Sequence, residues 1–187
     1  MLVFGTPDDV FAMAIEIEKN GKAFYEGAAS KADNEGVKKL FEELAAMEAG
    51  HITLFSGLRS ALSESISDHV WDPEGLAESY LQATADTHIF GSEAAVQRLI
   101  NVSTVEDAIN MAIQFEKDSV AFFLGMKKLV GPRKEKADID QLIVQEQDHV
   151  RMLSVAKKTL MQTGTTSVTG AETIPAMPDT KDRPKTF

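Results

Sequence analysis

The sequence predicts an all-α protein, a four-helix bundle built from two duplicated helical hairpins joined by a long, partly helical crossover. Three observations carry this reading. Met47-Glu48-Ala49-Gly50-His51 recurs as Gln145-Glu146-Gln147-Asp148-His149, each copy inside an uninterrupted helical period. Glu18 and Glu116, Glu48 and Glu146, His51 and His149, and Thr6 and Thr104 are all 98 residues apart, so one offset serves both helices of a pair. TPDDVFAMAIEIEKNGKAFY, from Thr6, and TVEDAINMAIQFEKDSVAFF, from Thr104, agree at nine of 20 aligned positions. Two such hairpins, each apolar on one face, bury those faces on each other. The bundle is expected over residues 1–163, with the crossover at 63–103 and an extended C-terminal tail at 164–187.

The first helix starts at Thr6-Pro7-Asp8-Asp9: a hydroxyl cap, proline at the first helical position, and acids at the positive end of the dipole. It runs to about Lys31, with Phe11, Ala14, Glu18, Gly21, Tyr25, Ala28 and Ala32 on the inward stripe and Glu16 and Glu26 off it. Asp33-Asn34-Glu35-Gly36 is the turn, short enough to make the next helix an antiparallel neighbour. That helix extends from about Glu35 to Leu62, and its stripe is Val37, Phe41, Leu44, Glu48, His51, Phe55, Leu58 and Leu62.

Periodicity weakens from Ser63 to Ser103, where Trp71-Asp72-Pro73-Glu74-Gly75 marks a loop and Leu76–Asp86 and Ser92–Leu99 are candidate short helices. His69 and His88 fall here without a Glu three residues earlier, so surface or packing roles are expected. Thr104 caps the third long helix, whose stripe is Val105, Ile109, Ala112, Glu116, Ser119, Phe123, Met126 and Val130, and Gly131-Pro132 ends it. The fourth runs from about Arg133 to Gln162 with Ile139, Leu142, Glu146, His149, Leu153, Ala156 and Leu160 inward, and with Lys157 and Lys158 expected near its negative dipole end. The tail contains Pro175, Pro178 and Pro184 and suggests no regular structure.

Composition narrows the function. No cysteine is present, which excludes disulfides, thiolate zinc sites, cysteine nucleophiles and iron–sulfur or iron–thiolate centres on this polypeptide. A net charge of −10 opposes binding to nucleic acid or anionic lipid, both of which need clustered Lys or Arg. Met1 to Gly5 is too short for a signal sequence, and no apolar run approaches the roughly 18 residues that span a bilayer, so a soluble, cytoplasmic protein is expected, with no membrane or nucleic-acid partner.

The chemistry lies in the ionisable residues on core stripes. Pseudo-twofold packing brings Glu18, Glu48, His51, Glu116, Glu146 and His149 to one level: four carboxylates and two imidazoles that do not belong among apolar neighbours without partners. One Glu from each of two helices and a Glu-x-x-His from each of the others is the ligand pattern of di-metal carboxylate bundles. Two divalent cations offset the four negative charges, and hard carboxylates plus imidazole suit iron, with manganese as the alternative, better than structural zinc or copper. Tyr25, seven residues after Glu18, is either a core aromatic or a phenol placed to hydrogen-bond a ligand or relay an electron or proton. Phe123, its equivalent, reads as core. Gly21 and Ser119 either permit close helix packing or leave room beside the metals for dioxygen or peroxide.

With these residues in view, the chain resembles the ferritin-like superfamily, and the duplicated hairpins, ligand spacing and Glu-to-Tyr interval are most similar to the rubrerythrin di-iron domain. The resemblance covers the four long helices. It implies that Glu48 and Glu146 bridge two iron ions, that Glu18 and Glu116 are terminal ligands, and that His51 and His149 each bind one metal. Two departures stand out. The cysteine-free sequence lacks a rubredoxin domain, and Ser119 stands where rubrerythrins carry an additional Glu, leaving six ligands as in bacterioferritin-like or oxygenase-like sites. The expected function is a di-iron oxidoreductase, a peroxide reductase or ferroxidase in which peroxide or dioxygen oxidises the Fe(II) pair, with Tyr25 as catalytic residue. An external electron donor is expected for a peroxidase, and a homodimer is the expected assembly. The alternatives are a di-iron substrate oxygenase and a non-enzymatic iron-storage or metal-stabilised module.

Overall fold

The computed structural model describes residues 6–64, 75–87, 104–129 and 133–163. Over these residues the chain forms helices α1 (Pro7–Lys31), α2 (Glu35–Glu64), α3 (Leu76–Thr87), α4 (Val105–Leu129) and α5 (Arg133–Thr163), with no strand among them. The Trp71-Asp72-Pro73-Glu74 loop, the second connector helix at 92–99, His69, His88, Gly131-Pro132 and the tail lie outside the described residues.

The duplicated starts of α1 and α4 are duplicated caps. Thr6 Oγ1 accepts from the Asp9 amide at 3.3 Å while Asp9 Oδ2 accepts from the Thr6 amide at 2.9 Å, a reciprocal capping box. Thr104 Oγ1 likewise accepts from the Asp107 amide at 3.0 Å. Between α1 and α2 the turn is tighter than the four residues that signal it, because Asn34 is already the cap: its Oδ1 accepts from the Val37 amide at 3.1 Å, and Glu35 and Gly36 are helical. Arg59 near the end of α2 reaches Asp8 at the start of α1 at 2.6 and 2.7 Å, as antiparallel neighbours of this length allow.

Helix α1 packs on α2 and α4 on α5, and the hairpins meet through α1 against α4 and α2 against α5. The expected stripes are the core. On α5 all seven stripe residues are buried, and on α2 burial holds from Val37 through Phe55, with Leu58 partly covered. Helix α3 docks on α4, where Tyr80 and Leu81 crowd the space above Gly125: a Cβ there would lie 2.6 Å from the Tyr80 ring. Lys157 does not serve the end of its helix. Helix α5 continues to Thr163 with no basic residue in its last turn, too far for the dipole end to be felt, and Lys157 instead donates to Asn110 Oδ1 on α4 at 2.6 Å.

Two aromatic groups are separated by the level of the glutamates. On one side Phe11 and Phe123 both contact Phe55, with centroids 6.2 and 5.1 Å apart. On the other, Tyr25 stacks on Phe41 at 6.0 Å and meets Phe24 and Phe115 edge-on at 5.5 and 5.9 Å. The polar layer is thus enclosed by rings that keep water out.

Candidate metal centre

Each Glu-x-x-His spans one helical turn, so its two side chains leave the same face of α2 or α5 and enter the bundle together. Glu18 on α1 and Glu116 on α4 meet them there. All six residues are at most 3 % exposed. Glu18, Glu48, His51 and Glu146 form one group and Glu48, Glu116, Glu146 and His149 a second, the candidate ligand atoms of each lying within 4.8 Å of one another.

The oxygens are divided between the groups. His51 Nδ1 lies 2.9 Å from Glu146 Oε1, 3.2 Å from Glu48 Oε2 and 3.4 Å from Glu18 Oε2. His149 Nδ1 lies 3.1 Å from Glu146 Oε2, 3.3 Å from Glu116 Oε2 and 3.7 Å from Glu48 Oε1. Glu48 and Glu146 therefore each turn one oxygen toward either histidine, the disposition of carboxylates shared by two cations. The imidazoles stack with centroids 5.5 Å apart and an interplanar angle of 19°.

Protein groups alone do not satisfy this layer. Both oxygens of Glu18, both of Glu146 and Oε1 of Glu48 are buried with no donor to themselves among the described residues, since the Nδ1 atoms of His51 and His149 are each shared among three carboxylates. An imidazole Nδ1 carries at most one proton, yet each faces three carboxylates. Buried ionised carboxylates without compensation are costly enough that they acquire protons or cations. The oxygen and nitrogen donors, their burial and their unmet lone pairs fit a pair of divalent metal ions, with iron suited to this mixture.

Without metal, protons take the place of cations. Burial and then the charges of Glu48 and Glu146 push the Glu18 carboxyl well above its ordinary range. Burial and then Glu146 push Glu48 and Glu116 up. Glu146 goes the other way: burial alone would raise it, but His51 and His149, with hydrogen bonds, hold it ionised. Burial works against the charged form of His149, yet hydrogen bonds to Glu116 and Glu146 and their charges take it up to about 11, and similar partners raise His51.

Tyr25 enters the same layer. Its hydroxyl donates to Glu116 Oε1 across the hairpin boundary, and burial followed by the charges of Glu116 and Glu48 pushes the phenol well above its ordinary value, so it keeps its proton. Phe123 is core, as its type implies. Gly21 takes the close-packing role: a Cβ there would sit 2.3 Å from Phe115 Cζ, so the glycine admits the Phe115 ring. Ser119 is buried at 1 % exposure.

Two residues beside the cluster escape a reading based on stripes. Gln145 Oε1 lies 2.9 Å from His51 Nε2, and Met47 Sδ lies 3.0 Å from His149 Nε2. Each immediately precedes the Glu of one motif and contacts the histidine of the other, and the two are again 98 residues apart. The shared offset is the one sequence signal that marks them as a pair.

Comparison with curated proteins finds no match. Among solved structures the chain is similar to a ferritin-like diiron-carboxylate protein of Thermotoga maritima, with 22 % identity and a TM-score of 0.58 over 82 % of this chain and 95 % of that one. This likeness shows the ferritin-like helical bundle fold. Among the described residues no helix is long and apolar enough to cross a membrane. The family model for rubrerythrin matches residues 9–157, a span that includes all six clustered Glu and His residues and Tyr25, and the chain belongs to the rubrerythrin family of ferritin-like di-iron proteins.

Proposed function

We propose that the protein is a di-iron oxidoreductase of the peroxide reductase or ferroxidase type, acting in peroxide detoxification or iron handling. The observation that carries this reading is the division of oxygens in Glu48 and Glu146, each turned toward both histidines. Glu48 and Glu146 would be shared by the two ions, Glu18 and His51 would hold one of them, and Glu116 and His149 the other. A pair of Fe(II) ions held there would supply the electrons for reduction of peroxide or dioxygen.

The protein's own residues set the conditions for that chemistry. The aromatic groups on either side keep bulk water from the carboxylates, which strengthens every charge interaction in the layer. With Nδ1 of His51 and of His149 given to a metal, the outer Nε2 of each would carry the ring proton, which fixes one tautomer of each ring. Tyr25 holds a proton at Glu116 Oε1, on the side of the layer that carries Phe24, Phe41 and Phe115, and is the catalytic residue of the proposal. A peroxide reductase of this kind takes electrons from an external donor, and the proposed assembly is a homodimer, which light scattering tests directly.

The deciding experiment loads the protein anaerobically with Fe(II) and mixes it with peroxide or with dioxygen in a stopped-flow instrument. Faster oxidation by either than in a Glu48→Ala, Glu146→Ala variant supports the proposal. Equal rates in the two proteins would remove it.

A further inference from the structure

The two metal positions are related by the duplication but are not supported alike. At the first, His51 Nε2 donates to an amide oxygen, Gln145 Oε1, at 2.9 Å. At the second, the only contact of His149 Nε2 given by the described residues is the thioether sulfur of Met47, at 3.0 Å. An amide carbonyl is a strong acceptor and a thioether a weak one. A hydrogen bond from the outer N–H to a strong acceptor orients the ring and raises the basicity of the nitrogen that binds metal.

The terminal carboxylates differ in the same direction. Both oxygens of Glu18 are buried, and the one N–H group given near them by the described residues is the His51 Nδ1 that three carboxylates share, 3.4 Å from Oε2, so neither oxygen is held by a donor of its own and both are available to a cation. Glu116 has Oε1 engaged by the Tyr25 hydroxyl, and the pseudo-symmetric counterpart of that tyrosine is Phe123, which has nothing to donate to Glu18. The bridging residues Glu48 and Glu146 serve both positions and do not distinguish them.

We infer that the two positions are built unequal: Gln145 makes the position of Glu18 and His51 the tight one, and Met47 leaves the position of Glu116 and His149 weaker, to fill second and empty first. This inference rests on the two-metal reading above. Gln145 and Met47 are positioning residues in it, since they act through the histidines. One ion is then retained while the other exchanges, which suits a centre that must both keep its metal and take up Fe(II).

The test titrates the metal-free full chain with Co(II), followed by calorimetry and by the visible absorption of the bound ion. Repulsion between two divalent ions separates the steps in every variant alike, so the comparison among variants decides. Met47→Gln is expected to tighten the second step by about tenfold or more and leave the first in place; Gln145→Met is expected to weaken the first step by a similar factor. Gln145 is exposed, so Gln145→Met carries the test if Met47→Gln lowers the melting temperature of the metal-free protein. Two Co(II) per chain with steps that neither substitution moves, or that Met47→Gln moves together, would overturn the inference and leave the two-metal reading intact. Fewer than two Co(II) per wild-type chain would overturn both.

Discussion

Tyr25 on α1 donates its hydroxyl proton to Oε1 of Glu116 on α4, joining the two hairpins at the level of the clustered carboxylates. The duplication pairs Tyr25 with Phe123, so only one half of the repeat carries this bond. A sequence offset that makes two positions equivalent in packing has left them different in chemistry. Burial keeps the phenol protonated, and the bond fixes which oxygen of Glu116 faces inward.

Tyr25→Phe is therefore expected to keep the fold and both metals while slowing oxidation. Phe fills the same space in the ring cluster with Phe24, Phe41 and Phe115, but Glu116 Oε1 loses its donor. With Glu116 protonated in the metal-free protein, the lost bond is one between neutral groups and is expected to cost about 0.5–1.5 kcal/mol. Stopped-flow rates at full iron loading, read beside elemental analysis, check the prediction, and an unchanged rate would reduce Tyr25 to a core aromatic.

Removal of either shared carboxylate is expected to affect both metals. Glu48→Ala and Glu146→Ala should drop tightly bound metal from two per chain to one or none and abolish oxidation, because each side chain turns an oxygen to both histidines. Glu16→Ala, exposed on the outer face of α1, should leave stoichiometry and rate unchanged and stability within about 0.5 kcal/mol. Metal analysis by emission spectroscopy after gel filtration reads all three.

The cluster also sets a dependence on pH that reverses ordinary acid sensitivity. In the metal-free protein Glu18, Glu48 and Glu116 hold protons above their ordinary value of 4.5, and His149 holds its proton up to about 11 against an ordinary 6.5. Above these ordinary values the unfolded chain has released protons that the folded chain retains, so stability falls as pH rises. Glu146, held ionised, acts oppositely only in acid. Metals displace the retained protons and bind more tightly as pH rises. The melting temperature of chelator-treated protein is thus expected to fall between about pH 5.5 and about pH 8.5, and the gap to metal-loaded protein to widen. A metal-free melting temperature that rises over that interval would contradict the scheme.

Much of this was legible in the chain because helices announce themselves locally. Thr6 and Thr104 cap α1 and α4 as their residue types imply, and stripes read at helical spacing are the buried faces. The meeting of the six clustered residues was legible from the 98-residue offset taken with the inward stripes of the four helices. What was not legible depends on which side chain of one hairpin meets which of the other. Gln145 reaches His51 and Met47 reaches His149 only because α2 lies against α5, and no periodicity within one helix states that neighbour. Phe115, adjacent to Glu116 and off the stripe of α4, is fully buried against Gly21, the close packing that was one of the two roles open to that glycine.

Gly21→Ala follows from that contact. Alanine favours a helix over glycine by about 1 kcal/mol. Here its Cβ would lie 2.3 and 2.6 Å from atoms of a Phe115 ring that is itself fully buried and edge-on to Tyr25. Overpacking of about 1–3 kcal/mol should win, and displacement of Phe115 should disturb the Tyr25 bond to Glu116. Thermal melts check the sign: a stabilised variant would mean that the ring yields freely.

Ser119→Glu asks whether the additional carboxylate of the rubrerythrin-like pattern can be rebuilt. Ser119 lies one turn after Glu116 on α4, buried at 1 % exposure, at the place where the family resemblance expects another carboxylate. Introducing a buried acid without a cation is expected to destabilise the metal-free protein, since desolvation of the new charge adds to a layer that already holds four carboxyls. If the new carboxylate reaches one metal, loading should restore more melting temperature in the variant than in the wild type, and the ratio of peroxide to dioxygen rates should shift. If Ser119 only packs against a neighbouring helix, the same substitution costs about 1–3 kcal/mol or more by overpacking, and metals return none of it. The expected outcome is the first, because residue 119 shares the inward stripe with Glu116 and is covered by the same core. Melting temperatures with and without metal, read beside the two oxidation rates, separate the cases: an early-melting variant with unchanged rate ratios would place Ser119 among the packing residues.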